Sequence, residues 1–149
     1  MKIEQSTVTK LYLTDLDRLD PVTVYLEDFL PGQGKITIEC FGESWSSYWP
    51  AMGGTIAQFF VSCDEHYLAK NLSRIDAEIY DLDAIRDAAN ENHIECVRDD
   101  PWNDLEFLTE MYGPDPADWH DSLPKMKNPG YEYLCRIIKT VQQGLNKAA

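Results

Sequence analysis

Residues 22–40, VTVYLEDFLPGQGKITIEC, decide how the first part of this 149-residue chain folds. Val22, Val24 and Leu26 alternate with Thr23, Tyr25 and Glu27, which places three aliphatic side chains on one face of a strand. Ile36, Ile38 and Cys40 repeat that pattern against Lys35, Thr37 and Glu39. Between the two runs, Pro31-Gly32-Gln33-Gly34 has the chemistry of a reversing loop, so the stretch predicts an antiparallel hairpin. Thr7 to Leu13 is rich in strand-forming residues and predicts a further strand. Glu43 to Trp49 predicts a third or fourth strand, although its alternation is imperfect.

Pro50 and Gly53-Gly54 end this sheet region, and the apolar period then becomes helical. Thr55 is placed to cap a short helix carrying Ile56, Phe59 and Phe60, and Ser62 with Glu65 fits a capping box for a second over Asp64–Leu72. From Asp81, the residues Leu82, Ile85, Ala89, His93 and Cys96 recur at steps of three and four and define an apolar helix face. Asp100-Pro101 is expected to open another helix with Leu105, Leu108 and Met111 inward, stopped at Gly113-Pro114. Asp115-Pro116 repeats the opening device around Trp119. Asn128-Pro129 begins a last amphipathic helix, with Leu134, Ile138, Val141 and Leu145 inward and Lys139, Gln142, Gln143 and Lys147 outward. The expected fold is α+β, an N-terminal antiparallel sheet of three or four strands covered by about five helices. The length and the 44% apolar content fit one domain over 1–149, mainly sheet in 1–50 and mainly helical in 55–149.

Charge is distributed far less evenly. Between Asp76 and Asp121 fifteen carboxylates face two cations, Arg86 and Arg98, so this segment alone carries −13, the net charge of the whole chain. Residues 1–75 contribute −4 and residues 122–149 contribute +4. Such a field repels anionic lipid and nucleic acid, which argues against direct nucleic-acid or membrane binding and points to a partner with a basic surface. No apolar run is long enough to span a bilayer and no basic-then-apolar leader opens the chain, which predicts a cytoplasmic protein.

Asp83, Asp87, Glu91 and Glu95 recur every four residues and form an acidic row opposite the apolar face. Like charges at this spacing destabilise a helix by about 0.2–0.5 kcal/mol per pair, a cost that the fold does not require. The row sets a negative charge about every 6 Å, the same order as the 3.4 Å axial step between phosphates on one nucleic-acid strand. With Asp99, Asp100, Asp104, Glu106, Glu110, Asp115, Asp118 and Asp121 it makes a candidate partner-binding surface that competes for a nucleic-acid groove. The plainer alternative is a solvated helix face that confers solubility.

Three other constellations carry possible chemistry. Trp45, Tyr48 and Trp49 form either a secondary recognition surface or lids on the sheet core. Cys63-x-x-His66 and His93-x-x-Cys96 make a mirrored pair with the donor set of a zinc site, set against ordinary burial of those residues. His120 beside Asp118 and Asp121 is an acid/base group of a kind that arises easily in an Asp-rich turn. Asp81-x-Asp83 lacks the glycine and terminal glutamate of a calcium loop. No nucleophile is fixed near a histidine by any signature, so the expectation is a protein without enzymatic activity, cofactor or resident metal. The four cysteines lie far apart, which predicts free thiols.

The strings LDPVTVYLED (19–28), GKITIEC (34–40), SWSSYW (44–49) and CDEHYL (63–68) resemble small accessory proteins of enterobacterial phages and prophages. The resemblance covers about the first 75 residues and brings no catalytic residues with it. It implies a phage product acting inside a bacterial cell, a setting in which inhibitors of host nucleases and other defence systems occur.

Overall fold

The computed structural model describes residues 1–94 and 104–149. Its contacts group into two compact units, one made of Met1–Ile75 with Pro129–Ala149 and the other of Asp76–Asn128. The fold is α+β.

In the first unit, β1 (Thr9–Leu13), β2 (Val22–Leu30), β3 (Gln33–Cys40) and β4 (Glu43–Trp49) form an antiparallel meander in the order β1-β2-β3-β4. The register pairs Val24 with Ile38 and Leu26 with Ile36, so the aliphatic sets of β2 and β3 lie side by side on one face. The strand at Glu43–Trp49 is the fourth. Its inward positions are Trp45, Ser47 and Trp49, and the small Ser47 is what makes its alternation look imperfect.

The helices α1 (Ile56–Ser62), α2 (Glu65–Leu72) and α6 (Pro129–Ala148) close this core with the sheet. Thr55 and Gln58 cap α1 reciprocally, and the Asp28 carboxylate accepts the Ile56 N–H at 2.7 Å, tying the end of β2 to the start of α1. Gly34 allows that approach, because a Cβ there would lie 2.8 Å from Ile56 Cβ. Ser62 does not cap α2. Its hydroxyl donates back to the Phe59 carbonyl at 2.8 Å, and the cap is Asp64, whose carboxylate accepts from the His66 and Tyr67 N–H groups. Leu134, Ile138, Val141 and Leu145 are buried along α6 as the sequence implies. Gln142, expected to point outward, instead donates to the Phe60 and Cys63 carbonyls at 3.0 and 2.8 Å, satisfying groups that the end of α1 leaves open. Cys40, Cys63 and Cys135 are free thiols.

A two-residue turn, Phe41-Gly42, joins β3 to β4. Both residues have positive φ, +48° and +81°, the mark of a type I′ turn, in which Gly42 is at ease and the bulky Phe41 is not.

The second unit contains a short antiparallel ribbon, β5 (Glu78–Tyr80) with β6 (Lys125–Lys127), and the helices α3 (Leu82–Glu91), α4 (Leu105–Tyr112) and α5 (Pro116–Ser122). Ile85, Ala89, Phe107, Leu108, Trp119 and Leu123 are its buried core. Leu105, expected inside, is 64% exposed, and Phe107 occupies the interior in its place. Gly113, at φ +91°, ends α4, and its carbonyl accepts the Trp119 indole N–H. The expected opening of that helix at Asp100-Pro101 lies outside the described residues. Among the described residues the chain has six helices, and none is long and apolar enough to cross a membrane.

Candidate functional site

The acidic segment begins where the second unit begins, at Asp76. This 53-residue unit holds fifteen carboxylates against Arg86, Arg98, Lys125 and Lys127, a net charge of −11. The 96-residue remainder holds eleven carboxylates against nine cations, a net charge of −2. Charge is therefore sorted by unit.

Helix α3 is built on an N-cap, Asp81, whose side chain accepts the Ala84 N–H at 3.0 Å. Ile85 and Ala89 are buried, while Asp83, Asp87 and Glu91 are exposed on the acidic row. The row on this helix has three members. The helix stops at Glu91 because His93 takes a left-handed backbone (φ +58°), with Ile94 N–H bonded to the Ala89 carbonyl at 2.9 Å and His93 N–H to the Asn90 carbonyl at 3.1 Å. This is the paired hydrogen bonding of a Schellman motif, and half-buried Ile94 packs on the core beside it. Glu95, Asp99 and Asp100 lie outside the described residues.

The remaining acids divide by role. Asp104 caps α4 by accepting the Phe107 N–H at 3.2 Å, and Asp115 caps α5 by accepting the Ala117 N–H at 2.9 Å. These two hold helix ends. Glu106 and Glu110 on α4, and Asp118 and Asp121 on α5, are exposed. Asp83 sits 3.7 Å from Arg86, and Asp121 sits 3.5 Å from His120. Among the described residues no side-chain hydrogen bond or ion pair holds Asp87, Glu91, Glu106, Glu110 or Asp118.

The aromatic segment divides between two faces of the sheet. Trp49 is buried and Trp45 is half-buried against the helix-covered core, and the Trp49 indole N–H donates to the Tyr67 hydroxyl at 3.1 Å. Tyr48 lies on the opposite, open face, 50% exposed and edge-to-face with Phe29.

Of the mirrored Cys/His pair, Cys63 and His66 belong to the first unit and His93 to the second. His93 was expected on the apolar face of α3. It is exposed instead, because the helix has already ended. Cys96 lies outside the described residues. Among the described residues no group of three His, Cys, Asp or Glu side chains is arranged to hold a metal ion.

One polar cluster has no local signature in the sequence. His66 Nδ1 lies 3.0 Å from the Tyr131 hydroxyl and 4.0 Å from Cys135 Sγ, and Glu65 bridges to Lys139 at 2.8 Å. Burial pushes the Cys135 thiol up from its ordinary value, with the Tyr131 hydrogen bond opposing that shift. Burial, followed by the neighbouring Cys135, also raises Tyr131. These contacts join α2 to α6 through polar side chains at the edge of the core. Tyr133 on the same helix is pushed up to about 12, first by its hydrogen bond with Cys40 and then by burial.

Residues 1–147 match the model of a family described as a phage family, Phage_phiTE_072, and the chain belongs to that family. No curated protein and no solved structure matches it.

Proposed function

We propose that this phage-family protein is a non-enzymatic accessory factor that binds a basic, nucleic-acid-binding protein of the host, such as a defence nuclease complex, and inhibits or modulates it. The binding element is the Asp76–Asn128 unit, which presents carboxylates where such a partner expects phosphates. The sorting of charge by unit carries this reading: −11 on 53 residues against −2 on 96. Acids spread for solubility alone would have no reason to respect the boundary between two compact units. The acidic unit is also the one with less interior, six core residues among those described against nineteen in the other unit. Self-repulsion is thus concentrated where it is least easily offset, which fits a surface retained for binding. The partner is recognised through its cationic groove, so capture is fast and salt-sensitive.

The test is affinity capture from bacterial lysate with the full chain and with a D87N/E91Q/E106Q/E110Q/D118N variant, which leaves the helix-capping Asp81, Asp104 and Asp115 in place. Capture is compared at about 0.1 M and about 1 M salt, where the Debye length is about 10 Å and about 3 Å. Under the proposal the wild-type chain retains nucleic-acid-binding proteins at low salt, duplex DNA displaces them, and the variant loses them. Identical capture by the two chains, or capture indifferent to duplex DNA, removes the acidic unit from the mechanism.

A further inference from the structure

Phe41 is the most exposed aromatic side chain among the described residues, with 80% of its surface in water at the tip of the β3–β4 hairpin. The turn does not call for it. A type I′ turn needs positive φ at both central positions, which Asn or Gly supplies without difficulty, whereas a bulky side chain at φ +48° is disfavoured. The residue therefore combines an unfavourable backbone conformation with a large apolar surface left in solvent. Asn at this position would remove both penalties.

The surroundings indicate what such a side chain would meet. Leu13, Val22, Cys40 and Glu43 lie in register across the four strands, so the 14–21 loop and the 41–42 turn share one end of the sheet. The Asp20 carbonyl, 3.7 Å from Cys40 Sγ, brings the loop to the turn. Glu39 and Glu43 flank Phe41, and all three line an open cleft of about 390 Å³. The 14–21 loop at this end of the sheet carries Asp15, Asp17 and Asp20 with one cation, Arg18. An apolar knob with carboxylates around it complements an apolar socket with cations around it.

We propose that Phe41 anchors a second docking element, located on the first unit and independent of the acidic-unit reading. It inserts into an apolar socket on a partner protein, and a Lys or Arg on the socket's rim enters the cleft between Glu39 and Glu43. Aromatic side chains, Phe among them, are enriched at protein interfaces, whose apolar core is surrounded by a polar rim.

The experiment replaces Phe41 with the photocrosslinking residue p-benzoylphenylalanine in the full chain expressed in bacterial host cells, with Gln143 on α6 replaced as the control position. Irradiated adducts are mapped by mass spectrometry, and the mapped protein is then purified. Support requires three results: an adduct specific to position 41, a crosslinked peptide lining an apolar pocket bordered by Lys or Arg, and about 30-fold weaker binding of the purified partner to F41N. The same F41N substitution should raise the melting temperature by about 2–5 °C as the turn strain is relieved. The proposal is overturned if position 41 gives no adduct beyond the control, if its adducts map to acidic or polar surfaces, or if F41N lowers the melting temperature. The last outcome would make Phe41 a structural residue.

Discussion

Neutralising the α3 carboxylates one at a time should change stability in a graded way that reverses sign along the helix. Asp83 lies in the first turn, where a negative charge meets the helix dipole favourably by about 0.3–1 kcal/mol. It also pairs with Arg86 at 3.7 Å, but its side chain is 95% exposed, so that pair adds only a few tenths of a kcal/mol. Against these stands one repulsion with Asp87, about 0.2–0.5 kcal/mol. The balance leaves D83N less stable by roughly 0.5 kcal/mol. Asp87 has two like-charged neighbours at four-residue spacing, so D87N gains about 0.4–1 kcal/mol. Glu91 is the last helical residue, where its charge opposes the dipole, and it also repels Asp87; E91Q should gain about 0.5–1.5 kcal/mol. Native-state hydrogen exchange of the amides in the last turn of α3 reads this locally. At about 1.4 kcal/mol per factor of ten, E91Q slows their exchange about 2- to 12-fold, and the effect shrinks at about 1 M salt. Equal effects at all three positions, or the largest gain at Asp83, would refute the electrostatic account of the row. Under the proposed function E91Q is also the sharpest single test, because it should bind its partner less well while folding better.

Three further outcomes follow from contacts elsewhere in the chain. Gln142→Glu should destabilise more than Gln142→Ala in urea unfolding, because Ala removes two hydrogen bonds to helix-end carbonyls, about 1–3 kcal/mol, whereas Glu also sets a carboxylate against them. His93→Gly should stabilise by about 0.5–1 kcal/mol by relieving the left-handed backbone at the end of α3; destabilisation with loss of bound zinc would instead make His93 a ligand. Tyr133 has a folded pKa of about 12, raised from 10.0, so its contribution to stability is intact below pH 10 and is lost as pH rises toward 12. Y133F should flatten the fall of the unfolding midpoint across that interval, and an unchanged slope would rule Tyr133 out as its source.

How much of this was legible in the sequence depended on how local the deciding interaction is. The alternation of Val22 to Leu26 and Ile36 to Cys40 specified the hairpin, and the apolar steps of 134–145 specified α6, because burial on one face repeats along the chain. The ribbon β5–β6 was not legible, since its two strands of three residues are almost wholly exposed and carry no alternation. The end of α3 is only weakly marked in the sequence, because the left-handed position is filled by His93, which takes that backbone less readily than glycine. Ser62 and Asp64 both qualify as caps for α2, and only the carboxylate reaching two N–H groups decides between them. The acidic row was legible as spacing, but its division into surface acids and the caps Asp104 and Asp115 required the helix starts. The cluster of His66, Tyr131 and Cys135 joins residues more than sixty positions apart, and no short-range pattern can report that.

The position of the acidic unit in the chain explains how so much like charge can be carried by one small protein. The unit departs after Ile75 and returns at Pro129, and its two ends are drawn together by its own ribbon, where Glu78 pairs with Lys127. Asn128 clamps them further, its N–H bonded to the Ala77 carbonyl and its side chain to the Asp76 carbonyl, each at 2.9 Å. A segment whose ends already meet can be hosted between α2 and α6 at a closure cost that grows only as the logarithm of its length. Glu78 and Asp76 stand at this neck with Lys125 and Lys127, so the two cations of the ribbon lie where the chain is clamped, and the helices α3, α4 and α5 hold seven carboxylates against Arg86. Cations are kept at the closure, where opposite strands must pair, and are sparse on the helices. A unit folded merely to stay soluble would gain stability from mixing the two signs along α3, α4 and α5. Under the proposed function, their separation is kept at a standing cost to those helices because it presents negative charge to the partner.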